Sequence, residues 1–508
     1  MFESANLRHH IDKAAYKREA VKLRAALLDA QYRLKEHGRF PVLILIAGVE
    51  GAGKSETLNL LNEWMDPRHI RTSAFLDPSD EELERPWLWR FWRELPPKGR
   101  IGIYFGAWHT MPILRRVLRK IGDGEFAREI SEIQRFEKML CDEGVLLLKY
   151  WFHLSRDQQK KRMKELSRDP NTRWRVTEGD WQYFKLYKRF VKVCDPFLRK
   201  TSTGEAPWIV VPGADARHRT LTVGRHLLAA MRERLDEKPL KRLPDKTPPL
   251  PVRADHLNVL RALELDQPMT KEEYGRELEK WQGRLNAASR DARFRSLSVV
   301  AVFEGNDAAG KGGAIRRVTG ALDARWYANV SVAAPTEEER AQPYLWRFWR
   351  HLPRSGRFTF FDRSWYGRVL VERVEGFARE EDWMRAYAEI NDFESALARH
   401  GTVVVKFWLA VSKEEQFRRF KAREKISFKR FKITAEDWRN RKKWGEYENA
   451  VCDMVDRTST ISAPWTLVEA NNKYHARIKV LKTLCRAVEA ALKTTSKAGV
   501  RKGGKKKK

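Results

Sequence analysis

Cysteine is scarce in this chain, acidic residues are outnumbered by basic ones, and long apolar runs are missing. Each shortage excludes something. The four cysteines among 508 residues are Cys141, Cys194, Cys452 and Cys485, with no CxxC pair, and no His/Cys cluster has zinc-ligand spacing. A structural zinc site and a disulfide scaffold are therefore excluded, and reduced, mostly buried thiols in a cytoplasmic protein are expected. No run approaches the eighteen apolar residues of a membrane span. The first twenty residues, MFESANLRHHIDKAAYKREA, have a charged helical pattern without the apolar stretch of a secretory signal.

The acidic shortfall is large: 68 Asp plus Glu against 100 Lys plus Arg, a formal charge of +32. Eight of the positive charges lie in Lys493–Lys508, which holds no acid, so +24 is spread over the rest. Such a field attracts polyanions, whether nucleic acid, anionic lipid or polymeric phosphate. It is equally the charge of a merely soluble basic surface. Hydrophobic residues make up 42%, enough for two or three domains with full cores.

What is present is a repeat. GVEGAGKS at 48–55 returns as GNDAAGKG at 305–312, and Lys54 and Lys311 are 257 residues apart. The same offset carries PWLWRFWR (86–93) onto PYLWRFWR (343–350), Asp180-Trp181 onto Asp437-Trp438, Pro207-Trp208 onto Pro464-Trp465, and His218 onto His475. An offset held this long means two tandem copies of one domain. Residues 237–252, with five prolines, read as a linker between domains at 1–236 and 253–493, and residues 494–508 as a basic disordered tail. Two fused copies could satisfy a dimer interface within one chain, or pair again as a homo-oligomer.

Each copy alternates short apolar runs with helical patterns, which predicts an α/β fold with a parallel sheet covered on both faces. The expected strands are Val42–Ala47, Ile101–Phe105, Val145–Phe152 and Trp208–Val211 in the first copy. In the second they are Leu297–Glu304, Val330–Ala334, Phe358–Phe361, Thr402–Leu409 and Trp465–Glu469.

Strand, GxxxxGK, then helix is a phosphate-binding arrangement: glycines let backbone N–H groups curl around phosphate oxygens while the lysine adds a point charge. The second loop offers Gly305, Ala309, Gly310, Lys311 and Gly312; the first offers Gly48, Gly53, Lys54 and Ser55. Only the first has the hydroxyl that nucleotide triphosphatases use on magnesium. The second has Asp307 inside the loop, which would repel a bound triphosphate and suits holding a metal or orienting an acceptor; a turn-forming Asp is the plainer reading. Asp362 ends an apolar strand, where a second magnesium-holding carboxylate belongs. Arg363, Arg368 and Arg373 follow it, able to clamp phosphate oxygens. Arg418–Arg423 and Phe428–Lys432 interleave basic and aromatic residues, which suits a phosphate-covering lid, nucleic acid, or a solvated helix face.

The stretches EGNDAAGKGG (304–313), PYLWRFWRHLP (343–353), FDRSWYGRVLVERVEGF (361–377), KFWLAVSKEEQFRRF (406–420), FKRFKIT (428–434) and APW (463–465) together resemble the polyphosphate kinase 2 family. The resemblance implies a three-layer α/β/α domain similar to thymidylate kinase, with a helical lid. It implies magnesium-dependent transfer of phosphoryl groups between inorganic polyphosphate and nucleotides, and the tandem form looks like the class that makes ADP from AMP. Nucleic acid and membranes are not among the implied partners. Carried over, Asp307 would orient the acceptor and, with Asp362, hold Mg²⁺; Lys311 would grip phosphates; Arg363, Arg368 and Arg373 would bind them. Glu372 would assist placement, and Arg423, Lys429, Arg430 and Lys432 would belong to the lid. The first copy departs from this pattern. Asp362 becomes Phe105, Arg363 Gly106, Arg368 Met111, Glu372 Arg115, Asp307 Glu50 and Lys429 Thr172, while Arg173 and Arg175 stay basic. The first copy is therefore expected to be catalytically silent.

Overall fold

The computed structural model describes residues 2–7, 9–237, 258–427, 431 and 433–503. The first copy contributes β1 (Val42–Gly48), β2 (Ile70–Ala74), β3 (Ile101–Phe105), β4 (Leu146–His153) and β5 (Trp208–Pro212). The second contributes β6 (Ser298–Gly305), β7 (Tyr327–Ser331), β8 (Arg357–Asp362), β9 (Thr402–Ala410) and β10 (Trp465–Glu469). They form two five-stranded sheets of identical order, β2-β3-β1-β4-β5 and β7-β8-β6-β9-β10. The pairings are parallel throughout.

The central strands are apolar because helices cover both of their faces. VLILI in β1 and SVVAVFE in β6 are buried at every position. One edge strand of each sheet reads differently. IRTSA and YANVS are largely exposed. With no apolar run to mark it, β2 escaped the sequence reading, and β7 lies three residues ahead of the expected Val330–Ala334. At the other end, the helix Lys473–Gly503 continues past residue 493, where a disordered tail was expected. Its packed part includes Leu481, Leu484 and Val488, and each further turn adds one backbone bond per residue fixed. The linker 237–252 lies outside the described residues apart from its first position.

The chain divides into two compact units. The first gathers Met1–Pro78, Arg90–Lys241 and Thr336–Trp346; the second gathers Ser79–Trp89, Arg242–Pro335 and Arg347–Lys508. Ser79–Trp89 and Thr336–Trp346 are equivalent stretches under the 257 offset, so each unit includes the other copy's version. In the first unit the Gln342 side-chain amide donates to the Leu95 carbonyl at 3.1 Å. In the second the Trp89 indole donates to the Trp349 carbonyl at 2.9 Å. Limits of 1–236 and 253–493 would keep each stretch with its own copy.

The four cysteines form no disulfide; Cys194, Cys452 and Cys485 are buried and Cys141 is half-buried. Among the described residues no helix is long and apolar enough to cross a membrane.

Candidate active site

In the second unit the phosphate loop joins β6 to the helix Lys311–Thr319. Gly305 has φ +149°, and a Cβ there would lie 2.4 Å from the Leu409 carbonyl oxygen, so only glycine passes β9 at this point. Gly310 caps the helix with φ +109°. The Lys311 ammonium donates to the Gly305 carbonyl at 2.7 Å, which folds it back over the loop. The loop is held from below by Arg419, which the sequence reading placed in a basic lid stretch. Its guanidinium is buried and donates to the carbonyls of Ala308, Ala309, Ala470 and Asn471 at 2.6–3.0 Å. Gln416 donates to the Asp307 carbonyl at 3.2 Å.

Facing the loop is the turn at the end of β8. Asp362 is level with Phe303 in the β6–β8 register, and its carboxylate has no hydrogen bond or ion pair among the described residues. An Oδ of Asp362 lies 3.8 Å from the place a Cβ on Gly312 would occupy. Arg363 follows with φ +63°, and Ala308 in the loop also has φ +63°. Left-handed backbone costs a non-glycine residue about 1–2 kcal/mol, so the surroundings must enforce both. The Arg363 N–H donates to the Phe303 carbonyl at 3.0 Å. Its guanidinium donates to Asp307 Oδ1 at 3.2 Å. Burial pulls the Arg363 guanidinium down, but Asp307 and Glu304 outweigh that and hold it above its ordinary value.

Glu304 is itself buried, at 5% exposure. Its Oε1 accepts a hydrogen bond from the Ser364 hydroxyl at 2.9 Å. Burial pushes its carboxyl above the ordinary range against the pull of Lys311. Below the turn, Trp365 and Tyr366 donate to Glu394 at 3.1 and 2.7 Å, and Lys406 donates to the same carboxylate at 2.7 Å. The lid helix Ala435–Lys442 closes the site. Asn440 donates to Asp307 Oδ2 at 2.9 Å. Glu375 ties the lid down through Arg439 at 3.0 Å and Lys443 at 3.3 Å.

Asp307, Lys311 and Arg363 thus line one cavity of about 90 Å³, and Asp362 stands next to Arg363 at the end of β8. Arg368 and Glu372 pair with each other at 2.9 Å just beyond it. Arg373 is drawn elsewhere, to Asp453 at 2.8 Å and Tyr387 at 2.9 Å. Arg423 is half-buried one turn beyond Arg419. Lys429, Arg430 and Lys432 lie outside the described residues. Sequence reasoning missed Glu304, Ser364 and Asn440, and read Arg419 as part of a lid. The offset held the signal, since Glu304 and Ser364 fall on Ala47 and Ala107.

No group of three or more His, Cys, Asp or Glu gathers closely enough to hold a metal alone among the described residues. The acids present fit a hard cation that takes most of its ligands from phosphate and water. Asp362 has open oxygens facing the loop, whereas Asp307 already serves Arg363 and Asn440.

The equivalent cavity in the first unit has about 200 Å³. There Lys54 donates to Glu50 at 2.8 Å and to the Gly48 carbonyl at 3.0 Å. Arg219 fills the space beside Gly53, where a Cβ would lie 2.1 Å from its guanidinium carbon. Glu56 accepts from Arg219 at 2.6 Å and Arg162 at 3.0 Å. Ser55 is exposed. Phe105 lines the wall at the Asp362 position.

A parallel sheet whose central strand opens into a lysine-bearing phosphate loop, faced by an Asp-Arg strand end and a lid, defines a phosphate-loop phosphotransferase. The polyphosphate kinase 2 (PPK2) family model matches residues 10–239 and again 268–496. A protein of Pseudomonas aeruginosa named polyphosphate:AMP phosphotransferase is 58% identical over 97% of this chain and 99% of its own length. One of the same name from Acinetobacter johnsonii is 40% identical over 91% and 95%. A crystal structure assigned to polyphosphate kinase 2 from Pseudomonas aeruginosa superimposes with a TM-score of 0.88 at 56% identity, covering 97% of this chain and all of that one. The chain belongs to the polyphosphate kinase 2 family, with two copies of its domain.

Proposed function

We propose that this protein is a cytoplasmic enzyme that transfers a phosphoryl group from inorganic polyphosphate to AMP, giving ADP, and that the second unit does the chemistry. The observation that supports the second unit is the Asp362 carboxylate, which no described residue engages and which faces the loop, where the first unit has Phe105. Near-full-length relatives carrying the polyphosphate:AMP phosphotransferase name support the substrates. The basic charge of +32 suits a polyanionic donor.

Transfer of this kind asks the protein for positioning and charge neutralisation rather than covalent chemistry. Lys311 and the helix N-terminus behind it receive phosphate oxygens. Arg363, paired with Asp307, supplies a guanidinium to the moving group. Asp307, fixed by Arg363 and Asn440, orients the acceptor. Magnesium would be held by Asp362, with Asp307 as the second carboxylate; when bound, it neutralises charge on the phosphate oxygens. The lid helix reaches the acceptor-orienting carboxylate through the Asn440–Asp307 contact.

The test is an assay of purified full-length protein with AMP, long-chain polyphosphate and magnesium, resolving ADP from ATP. ADP should form, cease on chelation by EDTA, and return with added magnesium. ATP in place of polyphosphate should support at most a few per cent of that rate. Equal rates with ATP would sink the donor assignment.

A further inference from the structure

We propose that Glu304, acting through Ser364, is the positioning residue that holds the Asp362-Arg363 turn in its strained, loop-facing conformation. The inference rests on the reading that the second unit transfers phosphoryl groups. Arg363 is a non-glycine residue at φ +63°. The residue after it, Ser364, is 3% exposed, and its hydroxyl hydrogen donates to Glu304 Oε1 at 2.9 Å. The same Ser364 oxygen accepts from the Tyr366 N–H at 3.3 Å. The serine is therefore fixed on both sides. With the Arg363 N–H on the Phe303 carbonyl, the left-handed residue is bracketed by bonds to β6, the strand that carries the loop. Glu304 touches neither Asp362 nor Arg363 by a hydrogen bond; besides the attraction of its charge for the Arg363 guanidinium, it acts on their backbone.

The first unit serves as an internal control. Its counterparts are Ala47 for Glu304, Ala107 for Ser364, Gly106 for Arg363 and Phe105 for Asp362. Gly106 takes φ +75°, a conformation glycine adopts without help. The first unit keeps the strand order. It also keeps the buried Lys149–Glu137 pair at 2.7 Å and the Trp108 bond to Glu137 at 3.0 Å, counterparts of Lys406, Glu394 and Trp365. The fold thus stands without the Glu–Ser pair. The pair is missing where the strained arginine and the open aspartate are missing.

The experiment uses full-length enzyme with Glu304→Ala, Ser364→Ala, the double variant and Glu304→Gln. It measures kcat, KM for AMP and polyphosphate, and the thermal midpoint. Each alanine variant should lower kcat about 10–100-fold, as expected when reacting groups are misplaced by about 1 Å. Both KM values should stay within about 3-fold. The double variant should be no slower than the slower single one, because the two side chains act as one unit. Glu304→Gln, which still accepts the serine's hydrogen bond, should keep kcat within a few-fold. An unchanged kcat in Ser364→Ala, additive losses, a rise in KM at constant kcat, or Glu304→Gln as slow as Glu304→Ala would each overturn the proposal. Wild-type turnover in the same assay separates the two readings, since its absence sinks the functional assignment itself.

Discussion

The two units place the same cavity at the same point of the same fold and line it with opposite chemistry. In the second unit the walls include Glu304, Asn306, Asp307, Arg363, Asn440 and Tyr447. At the equivalent positions the first unit has Ala47, Val49, Glu50, Gly106, Tyr183 and Phe190. What both keep is the loop lysine and the glutamine that donates to the loop carbonyl, Gln416 to Asp307 and Gln159 to Glu50. The loop is thus part of the scaffold, and the carboxylates and arginine around it distinguish a site from a vestige. At the loop and the strand end the strain follows the same division. Ala308 and Arg363 are left-handed without glycine's freedom, while Gly51 and Gly106 stand in their places in the first unit.

The comparison breaks most easily at Asp362. Asp362→Asn in the full chain should cut ADP formation by about 10³-fold or more, roughly 4 kcal/mol of transition-state stabilisation. Phe105→Asp should restore nothing, because Ala47, Gly106 and Ala107 still lack the rest of the turn. A tenth of wild-type activity left in Asp362→Asn would give the first unit a share in the chemistry. The loop lysines sharpen the contrast at a smaller scale. Lys311→Ala should lower kcat/KM about 100-fold. Lys54→Ala should stay within about 3-fold, since Lys54 is engaged by Glu50 and the Gly48 carbonyl, and the Glu50 side chain left behind is half exposed to water. A large loss in Lys54→Ala would show that the first loop binds phosphate after all.

Much of this contrast was legible in the sequence because it is written in residue types at a fixed offset. Asp362 against Phe105 needs no coordinates. The central strands were legible too, since burial on both faces demands continuous apolar runs. The edge strand β2 was not, because its exposed faces carry no pattern, and β7 was placed three residues late for the same reason. Nor was the fate of the arginines: Arg373 looks like a phosphate clamp and Arg419 like part of a lid in one dimension. In the fold Arg373 turns to Asp453 and Arg419 becomes a buried brace, since which way a guanidinium points depends on carbonyls and acids far along the chain. Asn440 was invisible for the same reason, 133 residues from the Asp307 carboxylate it holds.

The smallest expected difference lies away from either cavity, at the end of β4. His153 is 1% exposed and stacked on Phe2, with ring centroids 4.3 Å apart. Neither ring nitrogen has a hydrogen-bond partner among the described residues. Ala410 stands at the equivalent position of the second unit. Burial pushes the imidazole from its ordinary 6.5 down to about 4. The folded state therefore stays neutral where the unfolded chain takes up a proton. The stabilisation is whole above pH 6.5 and is lost as the pH falls towards 4. Between pH 6.5 and 5.5 this one group should remove about 1 kcal/mol of stability from the first unit. His109 and His226, also held below their ordinary values by burial, add to the acid slope of both wild type and His153→Ala, and cancel in the difference. Urea denaturation of the two proteins at both pH values should therefore show the smaller acid loss in His153→Ala. Equal losses would mean that the ring is hydrated or protonated in the folded protein.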